Sequence, residues 1–262
     1  MTILAVANQK GGVGKTTTTV NVATGLAASG KRVLIVDLDP QGNSSTGLGI
    51  AQNNRTCNSY DLLIGQAGLT DAAQPTRISG LDIVPATVDL SGAEIELVDV
   101  DARMHRLERA LAVAATTYDF VLIDCPPSLG LLTLNALVAA DALIVPLQCE
   151  FYALEGLSQL LKTVERVRSG FNSRLRILGV VLTMYDRRNR LSEQVAQDAR
   201  ACLGDAVFTT SIPRNVRLSE APSHGVPALV YDHRCAGSEA YIALAREVLG
   251  RTQPTPSLAS AA

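Results

Sequence analysis

A short stretch near the amino terminus restricts the fold of this chain more than any other feature. It begins with an apolar run over residues 3–7, which has the length of a buried parallel strand and is too short for a helix. A glycine-rich loop follows. Beyond the loop, apolar residues recur at helical spacing, at Val20, Val22, Ala23, Leu26 and Ala27. The sequence therefore predicts a strand that leads through the loop into a helix.

The loop has the composition of a phosphate-binding site. Its sequence is Lys10-Gly11-Gly12-Val13-Gly14-Lys15-Thr16-Thr17. Backbone N–H groups at the start of a helix have no intrahelical partner, so they can donate to an anion with several oxygens. Lys15 would reach the β- and γ-phosphates of a nucleotide, and the Thr16 hydroxyl would ligate Mg²⁺. The usual motif has a glycine where this chain has Gln9, and it does not require the second lysine, Lys10.

Apolar runs alternate with helical patterns along the rest of the chain. Five further strand-like runs lie at residues 33–36, 81–84, 120–123, 142–145 and 177–182. One helix face is formed by Leu154, Leu157, Leu160, Leu161, Val164 and Val167. Residues 51–77 are predicted as loops with a short helix around residues 59–64. The alternation predicts an α/β fold of the P-loop NTPase type, with a doubly wound, mostly parallel sheet flanked by helices.

Length and composition favour a single domain. With 262 residues, of which 47% are hydrophobic, the chain can bury one large core. It has no Trp and only 4% aromatic residues, so we expect a core of aliphatic side chains, as in a parallel sheet covered by helices. We expect the domain to span residues 1–250. Residues 251–262 contain two prolines and mostly small residues, which predicts a disordered tail.

Acidic residues follow two of the predicted strands. Asp124 comes directly after an apolar run, at the edge of the sheet where open α/β folds bind ligands, and is a candidate for holding Mg²⁺ through a coordinated water. Asp37 and Asp39 end another such run, and a period of two would put both carboxylates on the same side. Asp37 would then support the metal, while Asp39, restricted by Pro40, would orient the attacking water. Alternatively, one of the pair merely caps a turn.

Cysteine spacing and hydropathy indicate a reduced, cytoplasmic protein. The five cysteines lack any Cys-x-x-Cys spacing, and no signal peptide precedes the first apolar run. Charged or polar residues interrupt every apolar stretch before it reaches the roughly 20 residues of a membrane span. We therefore expect a soluble protein without a membrane partner.

Several motifs together resemble the ParA/Soj chromosome-partitioning ATPases. They are residues 10–17, Asp37-Leu-Asp-Pro-Gln-Gly-Asn43, Asp124-Cys-Pro-Pro-Ser-Leu-Gly130, Glu150-Phe-Tyr-Ala-Leu-Glu-Gly156 and Ile212-Pro-Arg-Asn-Val-Arg-Leu-Ser-Glu-Ala-Pro-Ser223. The resemblance extends from Thr2 to about Gly250. The phosphate loop is shared by several subfamilies of deviant P-loop ATPases, and residues 211–225 narrow the resemblance to ParA/Soj. The likeness is to the short type, which lacks an N-terminal helix-turn-helix domain.

The resemblance implies an ATPase with slow intrinsic activity that uses ATP and Mg²⁺ and forms a homodimer when ATP is bound. Lys10 would reach across the interface to the phosphates of the other subunit, like an arginine finger delivered in trans. Lys10, Lys15 and Asp39 would be the catalytic residues, and Gly11 would lie at the dimer contact. Relatives build part of the base pocket from the segment that matches Pro213, Arg214 and Asn215, and Met184 would lie nearby.

DNA binding is supported less by composition than by the resemblance. The net charge is −2 and the isoelectric point is about 5.9, whereas nucleic-acid-binding domains are usually basic. Basic residues cluster at Lys162, Arg166, Arg168, Arg174, Arg176, Arg187, Arg188 and Arg190. By itself this cluster fits a solvated helix face as well as a binding surface. Arginines that match Arg188 and Arg217 are implicated in nonspecific DNA binding by ParA-like proteins.

The resemblance therefore implies a DNA-partitioning cycle. The ATP-bound dimer would bind double-stranded DNA on the nucleoid without sequence preference. A ParB-like protein bound at a centromere-like site would stimulate hydrolysis and release the dimer. The cargo could be a chromosome or a plasmid.

Two other classes of protein share the phosphate loop. A MinD-like membrane-positioning ATPase would need a C-terminal amphipathic helix rich in basic and large apolar residues, and residues 252–262 are rich in neither. An iron–sulfur carrier would need paired cysteines to ligate a cluster, and the spacing in this chain is wrong for that. The sequence thus favours DNA partitioning, with the MinD-like function as the alternative.

Overall fold

A central sheet positions the phosphate loop and the two buried carboxylates that follow its strands. The computed structural model describes residues 1–150 and 153–253. The strands in these residues are β1 Thr2–Val6, β2 Val33–Asp37, β3 Gln74–Pro75, β4 Leu81–Val84, β5 Phe120–Asp124, β6 Ala142–Gln148, β7 Arg176–Tyr185 and β8 Val207–Pro213. They form one sheet in the order β3-β4-β2-β5-β1-β6-β7-β8. Every neighbouring pair is parallel except β3 and β4, as predicted for a doubly wound α/β fold.

Helices cover both faces of this sheet. Those in the described residues are α1 Lys15–Ala28, α2 Asn43–Gly47, α3 Ser59–Ile64, α4 Leu69–Ala72, α5 Leu90–Glu96, α6 Arg106–Leu111, α7 Leu131–Ala139, α8 Ala153–Gly170, α9 Arg190–Leu203, α10 Val216–Glu220, α11 Ala228–Tyr231 and α12 Ala236–Thr252. Within the part of the chain that the structure describes, none of them has the length and hydropathy needed to cross a membrane.

The core consists of two aliphatic layers, one on each face of the sheet. On one face, α1 and α12 pack on the strands, and on the other, α3 and α5 to α9 do so. All five residues of β2 and of β5 are buried, which is typical of central strands covered on both faces. The aliphatic core predicted from the composition is therefore confirmed.

The register of the central strands brings the two predicted acidic sites together. Asp37 at the end of β2 is paired in register with Asp124 at the end of β5. Val6, the last residue of β1, is also paired with Asp124. The phosphate loop, which follows β1, therefore opens at the same edge of the sheet as both carboxylates. This is the edge where parallel α/β sheets bind ligands.

Each predicted strand and helix is present in the structure, which also has two strands that the hydrophobic pattern did not predict. The predicted helix around residues 59–64 is α3, and the face from Leu154 to Val167 belongs to α8. The edge strand β8 and the two-residue strand β3 were missed. Helix α12 ends at Thr252. Residues 254–262 of the predicted disordered tail lie outside the described residues, so that boundary stays a prediction.

Candidate functional site

The phosphate loop has the backbone geometry that an anion cradle requires. Gly12 and Gly14 have φ angles of 74° and 89°, in the left-handed region that favours glycine. Helix α1 begins at Lys15, immediately after Gly14. The unpaired N–H groups of its first turn therefore face the loop. The Thr183 hydroxyl donates to the Val13 carbonyl at 2.9 Å and ties the loop to β7.

Lys15 lies at the base of the loop and is buried, with 7% of its surface exposed. Its ammonium group donates to the Lys10 carbonyl at 3.1 Å. Burial lowers the pKa of Lys15, and this outweighs the opposing effect of nearby Asp124. A cation held in a position shielded from water interacts strongly with an anionic ligand. The placement of Lys15 therefore suits contact with phosphate oxygens.

Asp124 is fully buried beside the loop. Its carboxylate accepts hydrogen bonds from the Ser44 hydroxyl at 2.8 Å and from the Thr19 hydroxyl at 3.3 Å. Burial, and next the neighbouring Asp37, raise the pKa of Asp124 to about 7, although hydrogen bonds from Ser44 and Thr16 oppose the shift. Asp124 and Thr16, both predicted as metal-site residues, therefore lie together.

Asp37 is the second fully buried carboxylate of the site. One of its oxygens accepts bonds from the backbone N–H and the hydroxyl of Ser45, at 2.8 and 2.7 Å. Burial raises the pKa of Asp37 to about 6. Two buried carboxylates with raised pKa values form a site that favours an added cation. The oxygen donors of Thr16, Asp37 and Asp124 fit a Mg²⁺ ion, which prefers a few protein oxygens together with water and phosphate.

Asp39 lies beyond the end of β2, so the predicted alternation along one strand does not apply to it. Instead, its backbone N–H donates to Asp37 at 3.3 Å, and its own carboxylate accepts from the Gln41 N–H at 3.0 Å. Asp39 is buried, with 7% exposure, and lies close enough to Asp37 and Asp124 for its charge to raise their pKa values. A turn held by hydrogen bonds therefore fixes its side chain, rather than strand geometry.

Arg55 stabilises the turn that follows Asp39, and the sequence analysis did not identify it. It is 4% exposed. Its guanidinium donates to carbonyls at Ile50, Gly42 and Ala86 and to the Thr46 hydroxyl. A Cβ on Gly42 would lie 2.2 Å from its Nη1 atom. Arg55 therefore fixes the turn between Asp39 and α2.

The four residues predicted for the base pocket surround a cavity of about 270 Å³ beside the loop. The cavity is lined by Met184, Pro213, Arg214 and Asn215, together with Gly14, Thr17 and other residues. Met184 has a φ angle of 51°, a strained conformation for a residue with a long side chain. Tyr241, fully buried at the cavity, shares a hydrogen bond with Thr18 at 3.1 Å between their hydroxyl oxygens. Tyr241 has no sequence signal beyond its place in an amphipathic helix.

Lys10 and Gly11 lie exposed at the rim of the loop. The Lys10 ammonium forms an ion pair of 2.8 Å with Glu150 and does not enter the cradle of its own chain. Among the residues that the structure describes, a Cβ on Gly11 would meet no atom within 4 Å. Packing within this part of the chain therefore requires neither residue.

The basic residues are placed unequally. Arg187, Arg188, Arg200 and Arg214 line one cleft of about 720 Å³, which also holds the acids Asp186 and Glu239. Arg188 forms two hydrogen bonds of 3.1 Å with Asp186, and its side chain remains 91% exposed. Arg217 lies outside this cleft and pairs with Glu220 and Asp232. The structure does not bring the two predicted DNA-binding arginines into one cavity.

The cysteines form no metal site in the residues that the structure describes. All five are free thiols. Residues 1–150 and 153–253 contain no group of three or more His, Cys, Asp or Glu side chains arranged to hold a metal ion by themselves.

Comparison with known proteins places the chain among partitioning ATPases. The model of the AAA domain family matches residues 1–177. The chain is 62% identical over 251 residues to the chromosome partitioning protein ParA of Caulobacter vibrioides, covering 95% of this chain and 94% of the relative. It is 54% identical to the sporulation initiation inhibitor protein Soj of Bacillus subtilis, covering 94% and 97%.

A solved structure supports the fold. The structure described as cobyrinic acid a,c-diamide synthase from Mycobacterium smegmatis, with bound ADP and magnesium, superimposes with a TM-score of 0.84 at 39% identity. The match covers 97% of this chain and 99% of that chain.

Proposed function

The chain belongs to the ParA/Soj family of chromosome-partitioning ATPases, and from this premise we propose that ATP assembles it into a DNA-binding dimer. In this proposal the dimer binds double-stranded DNA without sequence preference on the nucleoid. Hydrolysis, stimulated by a ParB-like centromere-binding partner, returns it to a monomer. The observation that carries the proposal is the exposed Lys10 at the rim of a phosphate cradle that already contains Lys15.

ATP and Mg²⁺ would bind at the edge of the sheet where the loop and the buried carboxylates meet. Residues 10–17 would hold the phosphates, Thr16, Asp37 and Asp124 would supply the metal shell, and the cavity beside Met184 would take the base. Support comes from the raised pKa values of the two carboxylates, because a cation at this position would offset the free-energy cost of burying their negative charges. Mg²⁺ would neutralise charge that develops on the phosphate oxygens.

Hydrolysis would depend on positioning more than on covalent chemistry. Lys15 would stabilise the charge on the γ-phosphate from within the cradle. Asp39 would orient the attacking water, since its turn fixes the carboxylate near Lys15 and Asp124. The hydrogen bonds from Arg55 to the same turn support this role, because they keep the loop rigid.

Dimerisation would bring Lys10 to the phosphates of the partner subunit. Among residues 1–150 and 153–253 its charge is paired with Glu150, and both side chains are more than 40% exposed. Exposed ion pairs contribute about 1 kcal/mol or less, so the exchange of Glu150 for a triphosphate is favourable. Gly11 supports this dimer. Among the described residues, no neighbouring atom requires a glycine at this position, whereas a second phosphate loop that approached closely would require one.

DNA binding would use the arginine-lined cleft. Its four arginines exceed its two acids, although the chain as a whole carries a net charge of −2. Phosphate contacts give affinity without sequence preference, and a dimer doubles their number. Pro213 and Arg214 line both this cleft and the base cavity, so these two residues would contact the nucleotide on one side and DNA on the other.

The replacement Lys10→Ala tests the proposal. Monomeric binding of a fluorescent ATP analogue should remain, because Lys15 and the loop are intact, while light scattering should show no ATP-dependent dimer. Lys162→Ala, which removes an exposed lysine on α8, is the control and should dimerise normally. A stable ATP-bound dimer of Lys10→Ala would refute the role given to Lys10.

The MinD-like alternative depends on the end of the chain, and residues 254–262 lie outside the described residues. Sedimentation with vesicles of anionic lipids distinguishes the two functions. ATP-dependent binding to vesicles but not to DNA would replace partitioning with membrane positioning.

A further inference from the structure

Residues 88–101 form a surface on which exposed aliphatic side chains alternate with acids. We call it the acidic–apolar surface. Its aliphatic members are Val88, Ile95, Val98 and Val100, which are 68%, 78%, 51% and 38% exposed. They are four of the ten large hydrophobic side chains that are exposed in residues 1–150 and 153–253. All four lie within residues 88–101, and large exposed apolar patches mark interaction sites in soluble proteins.

The charge on this surface has one sign. Its carboxylates are Asp89, Glu94, Glu96, Asp99 and Asp101. None of the five belongs to any of the ion pairs found in the described part of the chain. The segment has no Lys, Arg or His before Arg103. In the described part of the chain these acids therefore have no ion-pair partner, although the Tyr60 hydroxyl donates to Glu96 and the Arg103 guanidinium donates to the Val98 carbonyl.

The surface touches the loop that follows Asp124. Glu94 lies on α5, and a Cβ on Gly130 would lie 2.2 Å from its Oε1 atom. That oxygen is buried and has no hydrogen-bond partner. Gly130 caps the start of α7, six residues after Asp124. A partner bound to this surface would therefore lie next to the segment that connects Asp124 to α7.

We propose that the acidic–apolar surface docks a positively charged amphipathic segment of a partner protein. Charge selects this occupant. DNA and anionic membranes carry negative charge and would be repelled. A second copy related by two-fold symmetry would also be repelled, because the same negatively charged surface of each copy would face the other. A segment with Lys or Arg beside large apolar residues satisfies both the carboxylates and the exposed aliphatic groups. The consequence for ATP turnover, through Glu94 and Gly130, rests on the proposed function.

The probe is a fluorescein-labelled synthetic peptide of 18 residues, composed of Lys and Leu at amphipathic helical spacing. Its binding to the full chain is followed by fluorescence anisotropy across a salt series. Glu96→Lys with Asp99→Lys should weaken binding roughly tenfold, because two exposed attractions become repulsions. Ile95→Ser with Val98→Ser should weaken it several-fold at all salt concentrations. All four side chains are exposed, and the hydrogen bond that Glu96 would lose, from the Tyr60 hydroxyl, is also at the surface, so thermal unfolding should change little.

Asp205→Lys with Glu165→Lys is the matched control, since it changes the net charge equally at exposed positions elsewhere. The proposal is overturned if this control weakens peptide binding as much as the surface variant, or if the surface variants bind as tightly as the wild type. It is also overturned if the surface variants lose the ATP-dependent dimer while still binding the peptide, because the surface would then be a contact between copies. Failure of the wild type to bind DNA with ATP would refute the proposed function alone.

Discussion

Replacement of Arg55 by Met is expected to destabilise the nucleotide-free protein by about 3–5 kcal/mol. The Arg55 guanidinium donates to the Ile50 carbonyl at 2.8 and 3.1 Å, to Thr46 at 2.9 Å, to Ala86 at 3.0 Å and to Gly42 at 3.4 Å. It is almost fully buried.

The magnitude follows from the partners that would lose their donor. A hydrogen bond from a charged donor contributes roughly 1.5–3 kcal/mol, and bonds in one network are not additive. Met fills a similar volume but leaves buried carbonyls without a donor, so a total of about 3–5 kcal/mol is typical for a broken buried network. Because Arg55 also fixes the turn that holds Asp39, we expect ATP turnover to fall more than ATP binding.

Urea unfolding in EDTA measures the first effect, and kcat and KM measured separately give the second. Arg55→Lys should be intermediate, because an ammonium keeps the charge and loses the planar set of donors. Arg109→Met, at an exposed arginine of α6, is the control and should leave stability unchanged. A loss below about 1 kcal/mol for Arg55→Met would refute the reasoning, because it would mean that buried carbonyls can lose their hydrogen-bond donor without destabilising the protein.

Three further predictions concern charge at the site. Because the pKa values of Asp37 and Asp124 are raised above those of the unfolded chain, the folded state binds more protons between about pH 4 and 7. The free energy of unfolding without metal should therefore be highest near pH 4–5 and fall as pH rises through about 7. Urea titrations should show this, and Asp124→Asn should flatten the dependence; an unfolding free energy that rises with pH in this window would contradict it. Asp39→Ala should bind ATP and dimerise but not hydrolyse it, and normal phosphate release would rule out its assigned role. In DNA co-sedimentation, Arg188→Glu should weaken binding more than Arg217→Glu, since Arg217 lies outside the cleft and already has two acidic partners; equal losses would place the DNA elsewhere.

Local sequence features predicted the parts of the site that depend on one strand and the loop after it. The apolar run, the glycine-rich loop and the helical spacing beyond it predicted a strand, a loop and a helix, and the structure has all three. The left-handed conformation of Gly12 and Gly14 was seen only in the structure. Asp124 follows a continuous apolar run, and that run is the buried strand β5. Each of these inferences used only short-range geometry.

Features that depend on distant contacts were not predictable in this way. Arg55 lies in a polar, weakly patterned segment, and its partner Ala86 is 31 residues away. The edge strand β8 contains hydroxyl residues and has one exposed side, so it lacks the aliphatic run that revealed the central strands. The arginine cleft draws on β7, β8, α9 and α12, and only the folded chain shows that Arg200 lies in it while Arg217 does not.

DNA co-sedimentation with ATP, with ADP and without nucleotide, across a salt series, tests the central claim that ATP controls DNA binding by forming the dimer. The account predicts binding with ATP only, with a steep loss of affinity as salt increases, because doubled phosphate contacts supply the affinity. Equal binding in all three nucleotide states would contradict it.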